Sequence, residues 1–319
     1  MPGGRGAKRW LPRSVGVLAT GEPTADSTAG AVLARLRAGL PAEVALSFCG
    51  PRSADPPGLP AGVRRAASPA DLAARAELLV VVVAELDAVR DLINGPAGVQ
   101  AGVHSPTIQI LGCTCPPEAL RTLAAELDSS TAGRLRTVDA PLVGQAADIR
   151  AGRLPILAGA ARETFEAAEP LLCILGPTTW LGGVGHGQIG AAGMRYLLAA
   201  TMAALVETSV IVRRSGVDLA TLLDSWRATD LMGRVVDDVS SRLLGLTEDA
   251  IAPTSWSSSL TVARAEAVRT HTRTALMDVV FDAYAEAISN PGDDVIRRLE
   301  RAMSIPHTHP VDADLSVDL

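Results

Sequence analysis

Residues 68–94 read SPADLAARAELLVVVVAELDAVRDLIN, and the run LLVVVV at 78–83 contains no polar side chain. Such a run is typical of a parallel β-strand that is buried on both faces of its sheet. Ser68 and Pro69 form a helix N-cap and first-turn pair, with Asp71 in that first turn. The stretch therefore predicts a helix after Ser68, a buried strand at 78–83 and a second helix at 86–94.

The same alternation of strands and helices extends in both directions along the chain. The other predicted strands are Val15–Ala19, Val44–Phe48, 107–111 and 135–139. The predicted helices between them include one that ends near Gly39 and one at 117–130. Alternating β and α segments of this length favour an α/β fold with a doubly wound parallel sheet. We expect a Rossmann-like, NAD(P)-binding-type domain at 13–186, preceded by a disordered tail at 1–12.

The second half of the chain is predicted to be all helical. A long interdomain helix from about Gln188 to Arg214 is almost wholly apolar, and Gly216 is placed to end it as a C-cap. A helix that is apolar all round must be covered on all sides, so we expect a homodimer. Further helices are predicted at 218–227, 230–245, 256–288 and 292–302. Together they would form a dimerisation and substrate domain at 187–302, followed by a flexible tail at 303–319.

The composition excludes several classes of partner. The 319 residues carry a formal net charge of −6, and no basic face that could follow nucleic-acid phosphates is apparent. The longest apolar runs, Leu78–Ala84 and Tyr196–Val206, are shorter than the roughly 20 residues of a membrane span, and the start of the chain lacks the apolar core of a signal peptide. The four cysteines have neither disulfide nor zinc spacing, so we expect a cytoplasmic protein with reduced thiols and no metal.

The turn after the first strand is where a dinucleotide would bind. A G-x-G-x-x-G turn lets a pyrophosphate approach a helix N-terminus closely. The three glycine positions are occupied here by Ala19, Gly21 and Thr24. Glu22 would place a negative charge beside the phosphates, and Pro23 removes an N–H donor. Arg52 follows the second strand, where an acid would favour NAD, so the expected dinucleotide is NADP, with binding that is weak or absent.

Two later stretches carry a more specific signal. Residues 139–145 read DAPLVGQ, and residues 185–194 read GHGQIGAAGM, just before the long helix. The chain resembles the β-hydroxyacid dehydrogenase family, whose motifs at these places are D-A-P-V-S-G-G and G-x-G-x-x-x-K-x-x-N. That family includes 3-hydroxyisobutyrate dehydrogenases and tartronate semialdehyde reductases, and imine reductases are similar and share the fold. The resemblance implies an NAD(P)-dependent oxidoreductase that acts on a small molecule.

The departures from the family pattern fall on the residues that carry its chemistry. By the resemblance, the serine and glycines that bind the substrate carboxylate are replaced by Val143, Gly144 and Gln145. Ala191 stands where the family has its general-acid lysine, and Met194 stands where it has the supporting asparagine. Because Lys8 is the only lysine in the chain, no other lysine can supply the roughly 10²–10⁴-fold that general acid–base help typically gives. The site is therefore predicted to be degenerate with respect to the family reaction.

Other side chains near these motifs are candidates for moving a proton or holding the cofactor. His186 lies between two glycines, and its imidazole is suited to proton exchange near neutral pH. Tyr196 follows in the long helix, and both residues are predicted to be catalytic, although a packing role would explain either one. Thr114 stands where the family has a Ser-Thr pair near the nicotinamide. Thr114 therefore joins Ala19, Gly21 and Arg52 as a predicted cofactor contact.

Three hypotheses about function remain open at this point. The first is a diverged NADP-dependent reductase of the imine reductase type, for which loss of the lysine has a reason, since an ammonium group repels a cationic iminium substrate. The second is a cofactor-independent enzyme, such as an isomerase, cyclase or lyase, that reuses the interdomain cleft. The third is a dimeric pseudoenzyme or scaffold that keeps only the fold.

Overall fold

The computed structural model describes residues 12–24, 26–51, 59–228 and 254–288, together with Leu299. The chain divides into two compact units, with the boundary between Gly193 and Met194. The first unit is an α/β layer structure, and the described part of the second is helical. The predicted helices at 230–245 and 292–302, apart from Leu299, and the predicted tails lie outside the described residues.

A single eight-stranded sheet organises the described part of the first unit. Its strands are β1 (Ser14–Ala19), β2 (Ala45–Cys49), β3 (Arg64–Arg65), β4 (Leu78–Val82), β5 (Thr107–Leu111), β6 (Leu135–Asp139), β7 (Ile156–Gly159) and β8 (Thr178–Gly182). Their order across the sheet is β3-β2-β1-β4-β5-β6-β7-β8. The winding direction reverses between β1 and β4, and in open α/β sheets ligands bind at the carboxyl end of such a switch point.

Helices cover both faces of this sheet. They are α1 (Thr28–Gly39), α2 (Pro69–Ala73), α3 (Leu86–Ile93), α4 (Val99–Gly102), α5 (Pro117–Ser130), α6 (Ala146–Arg150) and α7 (Arg162–Leu175). Val80 of β4 packs into the core under α1 and α7, whereas its neighbour Val81 packs into the core under α2 and α5. This confirms the doubly wound α/β fold and the burial of the LLVVV run on both faces.

One edge of the sheet contains two strands that were not predicted from the sequence. β7 pairs antiparallel with β6 through Gly159 and Asp139, and β8 then pairs parallel with β7. The connection from β6 to β7 carries only α6, which is about 8 Å long. So short a helix does not return the chain to the starting edge, as the crossover helix between parallel strands does. The sheet is therefore predominantly, but not wholly, parallel.

The described part of the second unit contains helices and no strand. They are α8 (His186–Arg214), which begins in the first unit, α9 (Leu219–Ala228), α10 (Thr254–Arg269) and α11 (Ala275–Ile288). α8 ends as predicted, because Gly216 has a φ of +79° and its N–H donates to the Arg213 carbonyl. The prediction of one continuous helix at 256–288 is wrong. His271 adopts a φ of +54°, and the N–H of Thr272 donates to the Ala267 carbonyl, which ends α10.

α8 has an apolar side that packs in the core of the second unit and another that stays exposed. Met202 and Val206 are buried, whereas Leu197 and Ile211 are 68% and 59% exposed. Within the described part of the chain, α8 alone is long and apolar enough to cross a membrane. Core helices of globular units have the same composition, and the burial of Met202 and Val206 is typical of such a helix.

The loop between β1 and α1 is folded back onto the helix that it precedes. Ser27 is the N-cap of α1, and its hydroxyl accepts a hydrogen bond from the N–H of Gly30. The carbonyl of Thr24 lies so close to Gly30 that a Cβ atom there would be 1.9 Å from the carbonyl oxygen. The glycine that permits close packing at this point is therefore Gly30, inside the helix, and not the Thr24 position of the expected turn.

Candidate functional site

A buried carboxylate fixes the start of α8 at the end of the sheet. Asp139 is the last residue of β6 and is 0% exposed. Its Oδ2 accepts hydrogen bonds from the backbone N–H groups of Gly185 at 2.9 Å and Gln188 at 3.1 Å. These N–H groups lie at the N-terminus of α8, where they have no partner within the helix. Asp139 therefore caps α8 from a distant part of the sequence, and its negative charge faces the positive end of the helix dipole.

The side chain of Gln188 connects this carboxylate to the loop after β5. Its Nε2 donates to Asp139 Oδ1 at 2.7 Å and to the Cys113 carbonyl at 3.0 Å. Its Oε1 accepts from the N–H of Cys115 at 3.0 Å. Every polar atom of this buried amide is thus satisfied, as burial requires. The network holds the Cys113–Cys115 loop, the end of β6 and the first turn of α8 in one arrangement.

Burial controls the ionisation of the groups in this network. It raises the pKa of Asp139 from 3.8 to about 6, and the hydrogen bonds from Gln188 and Gly185 oppose that shift. A hydrogen bond with the Cys113 thiol, together with burial, raises the pKa of Cys115 far above its usual range. Both cysteines are free and buried. Cys115 therefore stays a thiol and lacks the reactive thiolate that nucleophilic cysteines need.

The residues at the substrate-binding motif have little capacity to hold an anion. The side chain of Val143 is buried, and its N–H donates to the Pro141 carbonyl. Gly144 packs so closely against Leu154 that a Cβ atom would meet Leu154 Cδ1 at 2.2 Å. Gly144 and Gln145 are exposed. Of the three residues, Gln145 alone offers a polar side chain.

The lysine position on α8 is also apolar. Ala191 is 3% exposed, and Met194, the first residue of the second unit, is half-buried. Three residues separate Ala191 from Met194, so both lie on one side of the helix, about 60° apart. Neither side chain can donate or accept a proton. The position that the resemblance assigns to the family lysine therefore carries no side chain for proton transfer on α8.

The two predicted proton donors lie on α8 but not on the side of Ala191. His186 and Tyr196 are each five residues from Ala191, which places each about 140° around the helix from it. The exposed imidazole of His186 lies over Gly182 of β8, where a Cβ atom would be 2.2 Å from Nδ1. Burial, and to a lesser extent the Asp278 carboxylate, raises the pKa of Tyr196. Its hydroxyl therefore stays protonated and able to donate.

The predicted cofactor residues lie at the carboxyl ends of the first strands. Ala19 is buried at the end of β1, and Gly21 is exposed with open space around its Cα. The N–H of Thr114 contacts the Ala84 carbonyl at 3.4 Å, which puts Thr114 beside the end of β4. Arg52 lies outside the described residues. The structure thus brings Ala19, Gly21 and Thr114 to the same edge of the sheet, around the switch point.

A pocket that the sequence analysis did not anticipate lies at the ends of β2 and β3. It has a volume of about 530 Å³ and is lined by Gly50, Arg64, Arg65, Ala66, Ala67, Asp71 and Arg75. Arg65 Nη1 donates to the Pro51 carbonyl at 2.7 Å, and the guanidinium lies 5.5 Å from the centroid of the Phe48 ring. Arg75 donates to Asp71 at 2.8 Å. The pocket therefore has a net positive charge and contains an arginine that is fixed in orientation.

Glu22 lies close to a positively charged residue that the sequence analysis did not connect with it. Its Oε2 lies 3.8 Å from Nη2 of Arg65. The Arg64-Arg65 pair, which forms β3, is visible in the sequence, but only the fold shows that Arg65 lies near the loop after β1. Gln188 was missed for a similar reason, because a single glutamine inside a glycine-rich motif gives no signal that it will bond a distant aspartate.

Known proteins that resemble this chain fall into one group of dehydrogenases. The model of the NAD binding domain of 6-phosphogluconate dehydrogenase matches residues 53–183. A probable mitochondrial 3-hydroxyisobutyrate dehydrogenase-like protein of Arabidopsis thaliana is 29% identical over 164 residues, which are 51% of this chain and 51% of that protein. These similarities support the β-hydroxyacid dehydrogenase family. The resemblance predicted from the two motifs is confirmed.

The β-hydroxyacid dehydrogenase fold extends over most of the chain. The 3-hydroxyisobutyrate dehydrogenase of Mycobacterium tuberculosis, solved with L-serine, has a TM-score of 0.73 at 18% identity and covers 91% of this chain and 98% of its own. An imine reductase of Myxococcus stipitatus, in complex with NADP+, has a TM-score of 0.56 at 17% identity and covers 90% and 99%. In sequence, the chain spans about half the length of the curated relatives it matches.

The family model leaves out the first two strands of the sheet. It begins at residue 53, whereas β1 and β2 precede that residue. The part outside the match contains Glu22 and the capped start of α1.

The Asp139 network leads to a prediction about stability. Asp139→Asn should lower the free energy of unfolding by about 2 kcal/mol or more, because either amide orientation turns an N–H donor against another donor. Urea unfolding measures this change. Asp128→Asn, at an exposed position on α5, is the matched control and should change stability by less than about 0.5 kcal/mol.

The same pair of proteins should differ in pH dependence. The folded-state pKa of Asp139, about 6, lies above the usual 3.8. Protonation of this group therefore adds stability that is fully present below the unfolded-state pKa and is lost as pH rises through the folded-state value. The stability of wild type relative to Asp139→Asn should increase between about pH 7 and pH 5. A constant difference over that range would contradict the burial-driven shift.

Proposed function

We propose that the chain is an NADP(H)-dependent reductase whose small-molecule substrate has no carboxylate to anchor, with an imine or iminium compound as the favoured class. The observation that carries this proposal is the arginine-lined pocket at the ends of β2 and β3. In doubly wound dinucleotide-binding folds, the second strand ends beside the adenosine ribose, where arginine suits a 2′-phosphate. The NADP+ complex of the similar imine reductase agrees with this choice of cofactor.

The pocket fits the 2′-phosphate end of the cofactor better than the loop fits its pyrophosphate. Arg65 Nη2 is a buried donor without a hydrogen-bond partner, and Arg64 and Arg75 line the same pocket. These are the charge-assisted contacts that phosphates favour. By contrast, Ser27 already caps α1, and Glu22 is in the loop above it. We therefore expect the 2′-phosphate to contribute most of the affinity.

The apolar positions at the reaction site favour a substrate unlike a hydroxyacid. NADPH, when bound, supplies a hydride. Ala191 removes the ammonium that would repel a cationic iminium group, and the buried Val143 removes the hydroxyl that would hold a carboxylate. A proton, where the product needs one, would come from His186, from Tyr196 or from water. His186 is the first choice because its imidazole is exposed.

Nucleotide binding tests the cofactor half of the proposal. NADPH should bind with measurable affinity that exceeds that of NADH, and Arg65→Ala should weaken NADPH binding by at least about tenfold while sparing NADH. Fluorescence titration of either reduced nucleotide measures both constants. Arg136→Ala, at an exposed position on β6, is the matched control. If Arg65→Ala loses affinity equally for both nucleotides, or loses none for NADPH, a 2′-phosphate site at Arg65 is contradicted.

Substrate assays test the chemical half. Cyclic imines should support NADPH consumption, whereas no β-hydroxyacid should be oxidised with NADP+ or NAD+. Ala191→Lys alone should not create hydroxyacid activity, because Val143 leaves the carboxylate without its anchor and Met194 leaves the ammonium without its partner. Oxidation of 3-hydroxyisobutyrate by the wild-type protein would show that the site keeps the family chemistry by another route.

A second candidate function is favoured by the contacts that Thr24 and Ser27 make with α1. A pyrophosphate would bind at the N-terminus of such a helix, and here that end is already capped by Ser27 and packed against the Thr24 carbonyl. A non-redox isomerase, cyclase or lyase, or a pseudoenzyme that keeps only the fold, would tolerate these contacts. Absence of NADPH and NADH binding in the titration would favour these alternatives.

We further propose that a second copy of the chain covers the exposed side of α8. Leu197 and Ile211 are separated by about four helical turns and so lie on one side of α8, each more than half exposed. Light scattering should give twice the chain mass of 33.0 kDa. Leu197→Glu should shift the protein towards the monomer, while Ala125→Glu on the exposed side of α5 should not. A monomeric wild type at micromolar concentration would contradict the proposal.

A further inference from the structure

The contact between Glu22 and Arg65 joins the loop after β1 to the pocket at the ends of β2 and β3. Glu22 Oε2 and Arg65 Nη2 are 3.8 Å apart, which is longer than a hydrogen bond. Both atoms are buried from solvent, and neither has a hydrogen-bond partner. Arg65 cannot close the gap freely, because its Nη1 is held by the Pro51 carbonyl and its plane lies over Phe48.

Glu22 Oε2 and Arg65 Nη2 are therefore an incompletely satisfied pair of atoms with opposite charge. A buried donor or acceptor that lacks a hydrogen-bond partner is unfavourable, so each of these two atoms would gain from a better partner. None of the other charged residues that line the pocket pairs with Glu22, and none supplies a second carboxylate to Arg65. Arg64 and Arg75 add positive charge, and the Asp71 carboxylate is already bonded to Arg75 and to the N–H of Ala67.

We propose that the Glu22 carboxylate takes the place of a ligand phosphate at Arg65 and so lowers the affinity for nucleotides that carry a 2′-phosphate. This inference rests on the proposed function. The incoming phosphomonoester supplies the short, charge-assisted hydrogen bonds that Glu22 fails to make, and Glu22 withdraws from Arg65 with its loop. Glu22 is therefore a specificity residue that penalises NADPH, and a 2′-hydroxyl of NADH leaves the pair intact.

Glu22 has a competing explanation that predicts the opposite effect. A carboxylate near the end of the second strand can accept hydrogen bonds from ribose hydroxyls and so favour NAD. The distance to Arg65 and the positive charge of the pocket favour the first role, because a carboxylate that is already attracted to a guanidinium is a weaker acceptor for a neutral hydroxyl. Removal of the Glu22 charge distinguishes the two roles. The first role predicts a change in NADPH affinity, whereas the second predicts a change in NADH affinity.

The test measures the affinities of NADPH, NADH and adenosine 2′,5′-bisphosphate by calorimetry. Glu22→Gln should tighten binding of NADPH and of the bisphosphate on the order of tenfold and leave NADH unchanged, since it removes one close charge. Glu22→Asp, which keeps the charge, should stay close to wild type. Glu43→Gln, exposed in the turn before β2, is the control. In an Arg65→Ala background the Glu22→Gln effect should vanish.

Each outcome distinguishes this inference from the proposed function. Nucleotide affinities that are measurable but equal in wild type and Glu22→Gln overturn the role of Glu22 and leave the reductase proposal standing. A loss of NADH affinity in Glu22→Gln assigns the carboxylate to the ribose and also overturns it. Failure of both proteins to bind any of the three ligands, with folding verified by circular dichroism, overturns the inference and the proposed cofactor together.

Discussion

The hydrogen bonds between Asp139 and the start of α8 hold the first turn of that helix at the end of the sheet. The carboxylate accepts from Gly185 and Gln188, and the Gln188 amide extends the network to the loop after β5. α8 carries Ala191 at the position that the resemblance assigns to the family lysine. The network therefore joins the end of β6 and the loop after β5 to the first turn of α8, which precedes Ala191.

At the nucleotide side the chain combines two opposing features. The pocket at the ends of β2 and β3 concentrates arginine, which attracts phosphate, and the loop after β1 presents Glu22, which repels it. The two features meet in one contact, because Glu22 Oε2 lies 3.8 Å from Arg65 Nη2. The positive charge of the guanidinium partly balances the negative charge of the carboxylate. Our expectation that Glu22 only opposes a pyrophosphate was therefore incomplete. The fold shows its nearest charge to be an arginine on another strand.

The local signals in the sequence predicted most of the fold. The Ser68-Pro69 pair does cap α2, and Gly216 does end α8, because both effects depend on neighbouring residues. The end of α10 at His271 was missed, since the left-handed position that usually needs glycine is here filled by histidine. β7 and β8 were missed because their pairing is set by contacts that are distant in sequence. The same limit applies to the site: the motifs located Ala191 and Val143, but Gln188 and Arg65 acquire their roles only from partners far along the chain.

We expect a bound dinucleotide to be held by its 2′-phosphate at Arg65 more than by its pyrophosphate at α1. Phosphorus-31 NMR of NADP+ with increasing amounts of protein tests this directly, because the two kinds of phosphate have separate resonances. The 2′-phosphate resonance should shift strongly and the pKa of that phosphate should fall, with little change in the pyrophosphate signals. A dominant shift of the pyrophosphate signals, with the 2′-phosphate unchanged, would contradict it.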